Sequence, residues 1–251
     1  MILLPVRSAR AALAALLPAA LAGCGAVEAT SAERFTASGQ LIALSGGDSG
    51  AANACFTCHG LDGLGDGAGA PRLAGLDQGY LTRQLEAYAA GLRKHARMEY
   101  IAARLSPAGR QSVSAYYAGM PFGPAAMPAS LPHPLYAEGD PARGLPACSA
   151  CHGARGEGRG PANPALGGQP AGYLAQQLVA WRRSDRRSDP LNTMLLISRR
   201  LAPQEIQAVS AYAASLPGGP PRRESPAAFP AIRRDGPRND ASGQRPHEAA
   251  P

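Results

Sequence analysis

Residues 55–59 read Cys-Phe-Thr-Cys-His and residues 148–152 read Cys-Ser-Ala-Cys-His, and no other feature of the 251-residue chain restricts its fold as tightly. Two thiols one helical turn apart can each add across a vinyl group of the same porphyrin, and the histidine that follows then lies under the iron. CxxCH is therefore the attachment pattern of c-type haem. Zinc sites and thiol redox centres share the cysteine spacing but have no need of a histidine at the fifth position in both copies. Two covalently bound c-type haems are expected, one on Cys55, Cys58 and His59 and one on Cys148, Cys151 and His152. Aromatic residues make up 5 % of the chain, and Gly and Pro number 30 and 24, so apolar side chains alone would build modest cores. A buried porphyrin supplies the large flat apolar body that such domains lack.

The two motifs sit in a duplicated context. At an offset of 93, Gly60 pairs with Gly153, Pro71 with Pro164, Leu73 with Leu166, Tyr80 with Tyr173, Gln84 with Gln177, Leu85 with Leu178 and Tyr88 with Trp181. After a three-residue insertion the offset becomes 96, pairing Met98 with Met194, Leu105 with Leu201 and Pro107 with Pro203. One domain is present twice. Each copy predicts a short helix on CxxCH, a Gly/Pro-rich loop (60–79 and 153–172) and an amphipathic helix. In the first copy that helix carries Leu81, Leu85, Tyr88 and Leu92 on one face. A polar loop then leads to the methionine and a last helix, opened by Ser106-Pro107 and by Ala202-Pro203 with Glu205. No run alternates as a strand does, so the class is all-α. The expected layout is a cleaved signal at 1–23, a tether at 24–45, domain 1 at 46–118, a linker at 119–140, domain 2 at 141–216 and a disordered Pro/Arg-rich tail at 217–251.

What fills the sixth position on each iron separates a carrier from a catalyst. A thioether is soft, carries no proton and favours ferrous iron, which suits reversible one-electron transfer. Met98 and Met194 each lie seven residues before an equivalent leucine, Leu105 and Leu201, and are the expected distal ligands. His95, three residues from Met98, is an alternative that the second copy does not repeat. Met120 and Met127 have no methionine counterpart and are expected to pack or lie exposed.

Arg7 and Arg10 precede an apolar run over 11–22, the pattern of an export signal and too short for a membrane span. It ends in Leu21-Ala22-Gly23-Cys24, which resembles the lipobox of bacterial lipoproteins, and implies a diacylglycerol on Cys24 and attachment to the membrane. Whether the inner or the outer membrane receives it is open. The formal net charge is +7, unevenly spread: residues 25–140 carry eight basic and ten acidic groups (8 − 10 = −2), and residues 141–216 nine and four (9 − 4 = +5). Such asymmetry orients a protein toward a charged protein partner and is not arranged for nucleic acid.

CxxCHG, the PxLxG loop, GYLxxQL, the methionine ahead of an LxP helix start and the doubling of the whole unit together resemble the diheme cytochromes c4, within the class I c-type cytochromes. The resemblance spans about 52–216. It implies two class I cytochrome c domains packed face to face, propionates near their interface, and Pro71 and Pro164 carbonyls accepting from the proximal histidines. It also implies a periplasmic electron carrier whose redox partners are an oxidase or a dehydrogenase. Two alternatives stay open: an electron-transfer subunit fixed in a membrane complex, and a diheme enzyme such as a peroxidase.

Overall fold

The computed structural model describes residues 31–67, 69–123 and 132–218, and among these the regular structure is helical, with isolated bridges and no strand. The first repeat contains α1 (Ser31–Ser45), α2 (Phe56–His59), α3 (Gln78–Ala89), α4 (Ala96–Arg104) and α5 (Pro107–Ala118). The second contains α6 (Pro134–Ala137), α7 (Cys148–His152), α8 (Ala171–Arg182), α9 (Thr193–Arg200) and α10 (Pro203–Ser215). In the first, α3 packs on α4 and α5, and α1 lies along α5; in the second, α8 packs on α9 and α10.

The helix starts follow from local chemistry. Asp77 accepts from the Tyr80 amide at 2.9 Å and caps α3. Ser106 accepts from the Gly109 amide at 3.0 Å with Pro107 at the first helical position of α5. Glu205 accepts from the Ala202 amide at 2.7 Å at the start of α10. Each satisfies an amide that the first helical turn cannot pair. Helix α3 ends at Ala89, so Leu92 falls beyond it and is exposed rather than on its buried face.

Three expected boundaries move. Residues 31–45 form a helix instead of a tether. Gly39 lets α1 approach α5 so closely that a β-carbon there would stand 2.6 Å from the Ser112 carbonyl carbon. Ala43 is 1 % exposed. The linker expected at 119–140 gives way to α6, whose Tyr136 is also 1 % exposed and donates to the Gly153 carbonyl at 2.8 Å. At the offset of 93, Tyr136 is the partner of Ala43, so the repeat reaches further upstream than its sequence identities do. At the other end Pro217 is buried and the Gly218 amide donates to the Arg155 carbonyl at 2.9 Å, which ties two residues of the expected tail to domain 2. Residues 1–30, with the signal and Cys24, and the rest of the tail lie outside the described residues.

Candidate functional site

Each CxxCH occupies a single short helix, so its side chains divide by helical phase. Cys55 and Cys148 are half-buried while Cys58 and Cys151 are exposed. Burial pushes the Cys55 and Cys148 thiols up to about 11. The histidines turn inward. His59 Nδ1 lies 2.9 Å from the Pro71 carbonyl and His152 Nδ1 lies 2.8 Å from that of Pro164. With Nδ1–H donated to a carbonyl, each ring is held in one tautomer, leaving Nε2 as a free lone pair. Burial also holds both imidazoles below their usual value, so they stay neutral.

A single cavity of ≈ 500 Å³ runs through both domains. Cys55, Cys58, His59, Pro71 and Met98 line one half; Cys148, His152, Pro164 and Met194 line the other. The methionines are placed by caps that the sequence did not advertise. His95 Nδ1 accepts from the Met98 amide at 3.3 Å, and Asp189 Oδ2 accepts from the Met194 amide at 2.8 Å. His95 thus starts the helix that carries Met98. Met120 packs against the first core, and Met127 lies outside the described residues.

Between the half-cavities lie two arginines that sequence reasoning left as surface charge, among the paired rings of Tyr80, Tyr173, Tyr88 and Trp181. Arg93 and Arg186 are equivalent at the offset of 93, and they are only 4 % and 2 % exposed. Arg93 donates to Gln84 Oε1 (3.1 Å) in its own domain and to the Tyr173 hydroxyl (2.8 Å) and Gln177 Oε1 (2.7 Å) across the interface. Arg186 mirrors it, donating to Gln177 (2.8 Å), Tyr80 (3.1 Å) and Gln84 (2.9 Å). Their guanidinium carbons lie over the equivalent rings of Tyr88 at 4.6 Å and Trp181 at 3.9 Å. Backbone bonds Lys94 N to Asp185 O (2.8 Å) and Arg187 N to Leu92 O (2.7 Å) complete the seam. Burial would raise the Tyr80 phenol, but Arg186 and Arg93 beside it outweigh that and hold it below its usual value. The signal in the sequence was present: both arginines, both tyrosines and both glutamines repeat at one offset.

All of these partners are neutral, and the ion pairs among the described residues lie elsewhere at the surface, at Lys94–Glu99, Arg143–Asp140 and Arg143–Glu205. Asp66, which accepts from the Gly69 and Ala70 amides, is the one carboxylate among the described residues lining the cavity and makes no hydrogen bond to either arginine, so two buried guanidinium charges there call for a further anionic occupant. The Trp181 Nε1 donor is buried and unpartnered, as are the equivalent Ser114 and Ser210 hydroxyls, and all three residues line the cavity. An apolar porphyrin with two propionate carboxylates fits this donor set.

A second clamp has no repeat partner. Arg72, 1 % exposed, donates to the carbonyls of Ala74 and, at 2.9 Å, Gly167, and lies 3.8 Å from the centre of the Phe122 ring. Gln169 accepts from the Arg72 amide (3.0 Å) and donates to its carbonyl (2.8 Å). Burial pushes the Arg72 guanidinium down to about 10.

Two helical domains, each contributing CxxCH residues and a methionine to the lining of one apolar cavity, define a diheme c-type cytochrome. The cytochrome c family model matches residues 46–121 and 142–217. The chain is 40 % identical over 203 residues to a thiosulfate dehydrogenase electron acceptor of Stutzerimonas stutzeri, covering 78 % of this chain and 94 % of that one. It is 33 % identical over 180 residues to a cytochrome c4 of Pseudomonas aeruginosa, covering 68 % and 90 %. Among solved structures, a thiosulfate dehydrogenase from Marichromatium purpuratum superposes with a TM-score of 0.64 at 41 % identity, over 72 % of this chain but 40 % of that longer one. Reduced cytochrome c4 from Pseudomonas stutzeri superposes at 0.60 with 29 % identity, over 75 % of this chain and all of that one. The chain belongs to the cytochrome c family, as a diheme protein of the cytochrome c4 type that binds two covalent c-type haems and transfers electrons.

Proposed function

We propose that His59 and Met98 ligate the first iron and His152 and Met194 the second, with the porphyrins held through Cys55 and Cys58 and through Cys148 and Cys151. The duplicated hydrogen bond from each imidazole to Pro71 or Pro164 carries this reading, because it aims one Nε2 into each half of the cavity. Bound haem supplies a one-electron iron couple. The chain supplies a neutral, oriented imidazole, a soft thioether, walls that exclude water, and Arg93 and Arg186 as counter-charges for the propionates. Matched methionines leave neither iron an open position, which favours a carrier over a catalyst.

The partner is a thiosulfate-oxidising dehydrogenase, from which the protein accepts electrons on the periplasmic side before passing them toward an oxidase. The relatives named as acceptors of thiosulfate dehydrogenase support this. The Marichromatium chain, of which this protein matches only a part, favours a second form of it, a subunit fixed to the dehydrogenase. Cys24 anchors the chain through a lipid.

Met98→Ala and Met194→Ala should each abolish the methionine-to-iron charge-transfer band of one ferric haem and open that iron to cyanide; an unchanged spectrum in either refutes that ligand. Purified dehydrogenase with thiosulfate should reduce both haems, and failure to do so refutes the partner. Cys24→Ser should release the protein from membranes, and retention there refutes the anchor.

A further inference from the structure

The second repeat is longer than the first between the interface arginine and the methionine. Arg93 and Met98 are five residues apart (98 − 93), Arg186 and Met194 eight (194 − 186). The added length forms the 3-10 turn Pro190–Asn192, in which Leu191 and Asn192 both have φ of 56°. Asparagine tolerates this left-handed region; leucine is strained in it. Packing does not repay the strain, since Leu191 is 91 % exposed. The turn is nevertheless held firmly. Asp189 Oδ2 accepts from the amides of Met194 (2.8 Å) and Leu195 (3.4 Å), and Thr193 Oγ1 donates to the Pro190 carbonyl at 3.0 Å. A large apolar side chain is thus presented to solvent on a rigid turn three residues before Met194.

The setting is basic. Residues 182–200 hold six arginines and two aspartates; with Arg186 buried at the domain interface, five arginines remain for the surface (5 − 2 = +3), and Asp189 Oδ2 is occupied by backbone amides. Arg183 and Arg187 are exposed on the loop, and Arg199 Nη2 reaches Ser184 Oγ at its start, at 3.4 Å. Leu196, on α9, is 49 % exposed. Isolated surface leucines are ordinary, but a strained one on an insertion, rimmed by arginine and adjoining the residue that closes an iron site, is not explained by folding.

We propose that segment 183–199 is the docking surface for a protein redox partner whose contact face is an apolar depression bordered by carboxylates. The arginines steer and orient the acidic rim, and Leu191 enters the depression and excludes water between the redox centres. One electron leaves the partner's reduced centre, which is oxidised, and reduces the second iron from ferric to ferrous; no bond or proton moves. The inference rests on Met194 as the ligand of that iron.

The probe is a blue copper protein with an apolar copper edge bordered by carboxylates, mixed with the holoprotein. Binding of the oxidised probe is measured by NMR shift titration, and electron transfer from the reduced probe by stopped flow. Wild-type binding should weaken as salt rises. L191N, which suits the left-handed backbone, should melt no lower than wild type yet bind the probe about tenfold more weakly. R187E should do the same, and both should slow transfer from the probe, while reduction by the cation hexaammineruthenium(II) keeps its rate in L191N and is not slowed in R187E. L61N, at an exposed leucine of the first repeat, should change nothing. Wild-type affinity in both L191N and R187E, or an equal loss in L61N, overturns the proposal. The ligand reading fails separately, through an unchanged ferric spectrum in M194A.

Discussion

Replacing Arg93 by Met tests whether the interface works as a shared network rather than as two independent clusters. A first count makes the substitution severe. Three hydrogen bonds from a charged donor, at about 1.5–3 kcal/mol each, sum to roughly 4.5–9 kcal/mol. The structure lowers that figure. Arg186 still donates to Gln84 Oε1 at 2.9 Å and to Gln177 Oε1 at 2.8 Å, so only the Tyr173 hydroxyl loses its partner. Loss of the buried guanidinium also returns part of its desolvation cost. Arg186 also remains as a counter-charge for the propionates, so the expected cost is about 2 kcal/mol, close to that of one orphaned buried group. Arg186→Met should behave alike, orphaning Tyr80. The double variant additionally strands the Gln177 oxygen, leaves Gln84 Oε1 only a 3.4 Å bond from Ser188 and removes both counter-charges of the propionates, so it should exceed the sum of the singles by about 2 kcal/mol. Urea unfolding of the ferric holoprotein, followed by far-ultraviolet circular dichroism and by the Soret band, measures all three. A single variant costing more than about 5 kcal/mol, or a double variant that is merely additive, would refute the shared network.

Gly158 has φ of 77°, and a β-carbon there would meet the Ala165 amide and stand 2.7 Å from the Asn163 carbonyl oxygen, all of it backbone beside Pro164. Gly158→Ala should therefore cost upward of about 2 kcal/mol and lower the haem content below two per chain, as read by pyridine haemochrome. Tyr136→Phe removes the buried bond to the Gly153 carbonyl and should cost about 1–2 kcal/mol in a urea melt; no change would argue that α6 is a linker after all. Arg143 hydrogen-bonds both Asp140 and Glu205 and holds each carboxyl below its usual range. For groups with lowered pKa values, the stabilisation is present above the unfolded-state pKa and is lost as pH falls through the folded values. Melting temperature should thus drop more steeply in wild type than in R143Q as pH falls below the ordinary carboxylate range, and parallel curves would rule out this contribution.

Residue identity was enough wherever chemistry is local. CxxCH names its cofactor because the geometry of two thioethers and one axial imidazole is written within five consecutive residues. The caps at Ser106 and Glu205 were legible for the same reason, each lying within three residues of the amide it satisfies. The histidine–proline pairs, twelve residues apart, were implied by the resemblance to c-type cytochromes, and the repeat marked Pro71 and Pro164 as the equivalent positions.

What escaped were contacts whose partners are remote or whose signal is a shape. Helix α1 reads as a small, polar tether because the residues that make it pack, Gly39 and Ala43, act through closeness to α5 rather than through hydrophobic bulk. Tyr136 stood in a proline-rich stretch, where its one distinguishing property, complete burial, appears only when α6 meets α7 and α10.

The sequence by itself therefore determined the cofactor, the two-domain repeat and the helical class, since each depends on residues near one another in the chain. Tertiary structure alone decided how the two copies meet. Arg93 and Arg186 look like surface charge on loops until the domains close and each reaches a tyrosine and a glutamine about 80 to 105 positions away. Burial then turns two ordinary arginines into the uncompensated positive charge that two propionate-bearing haems require.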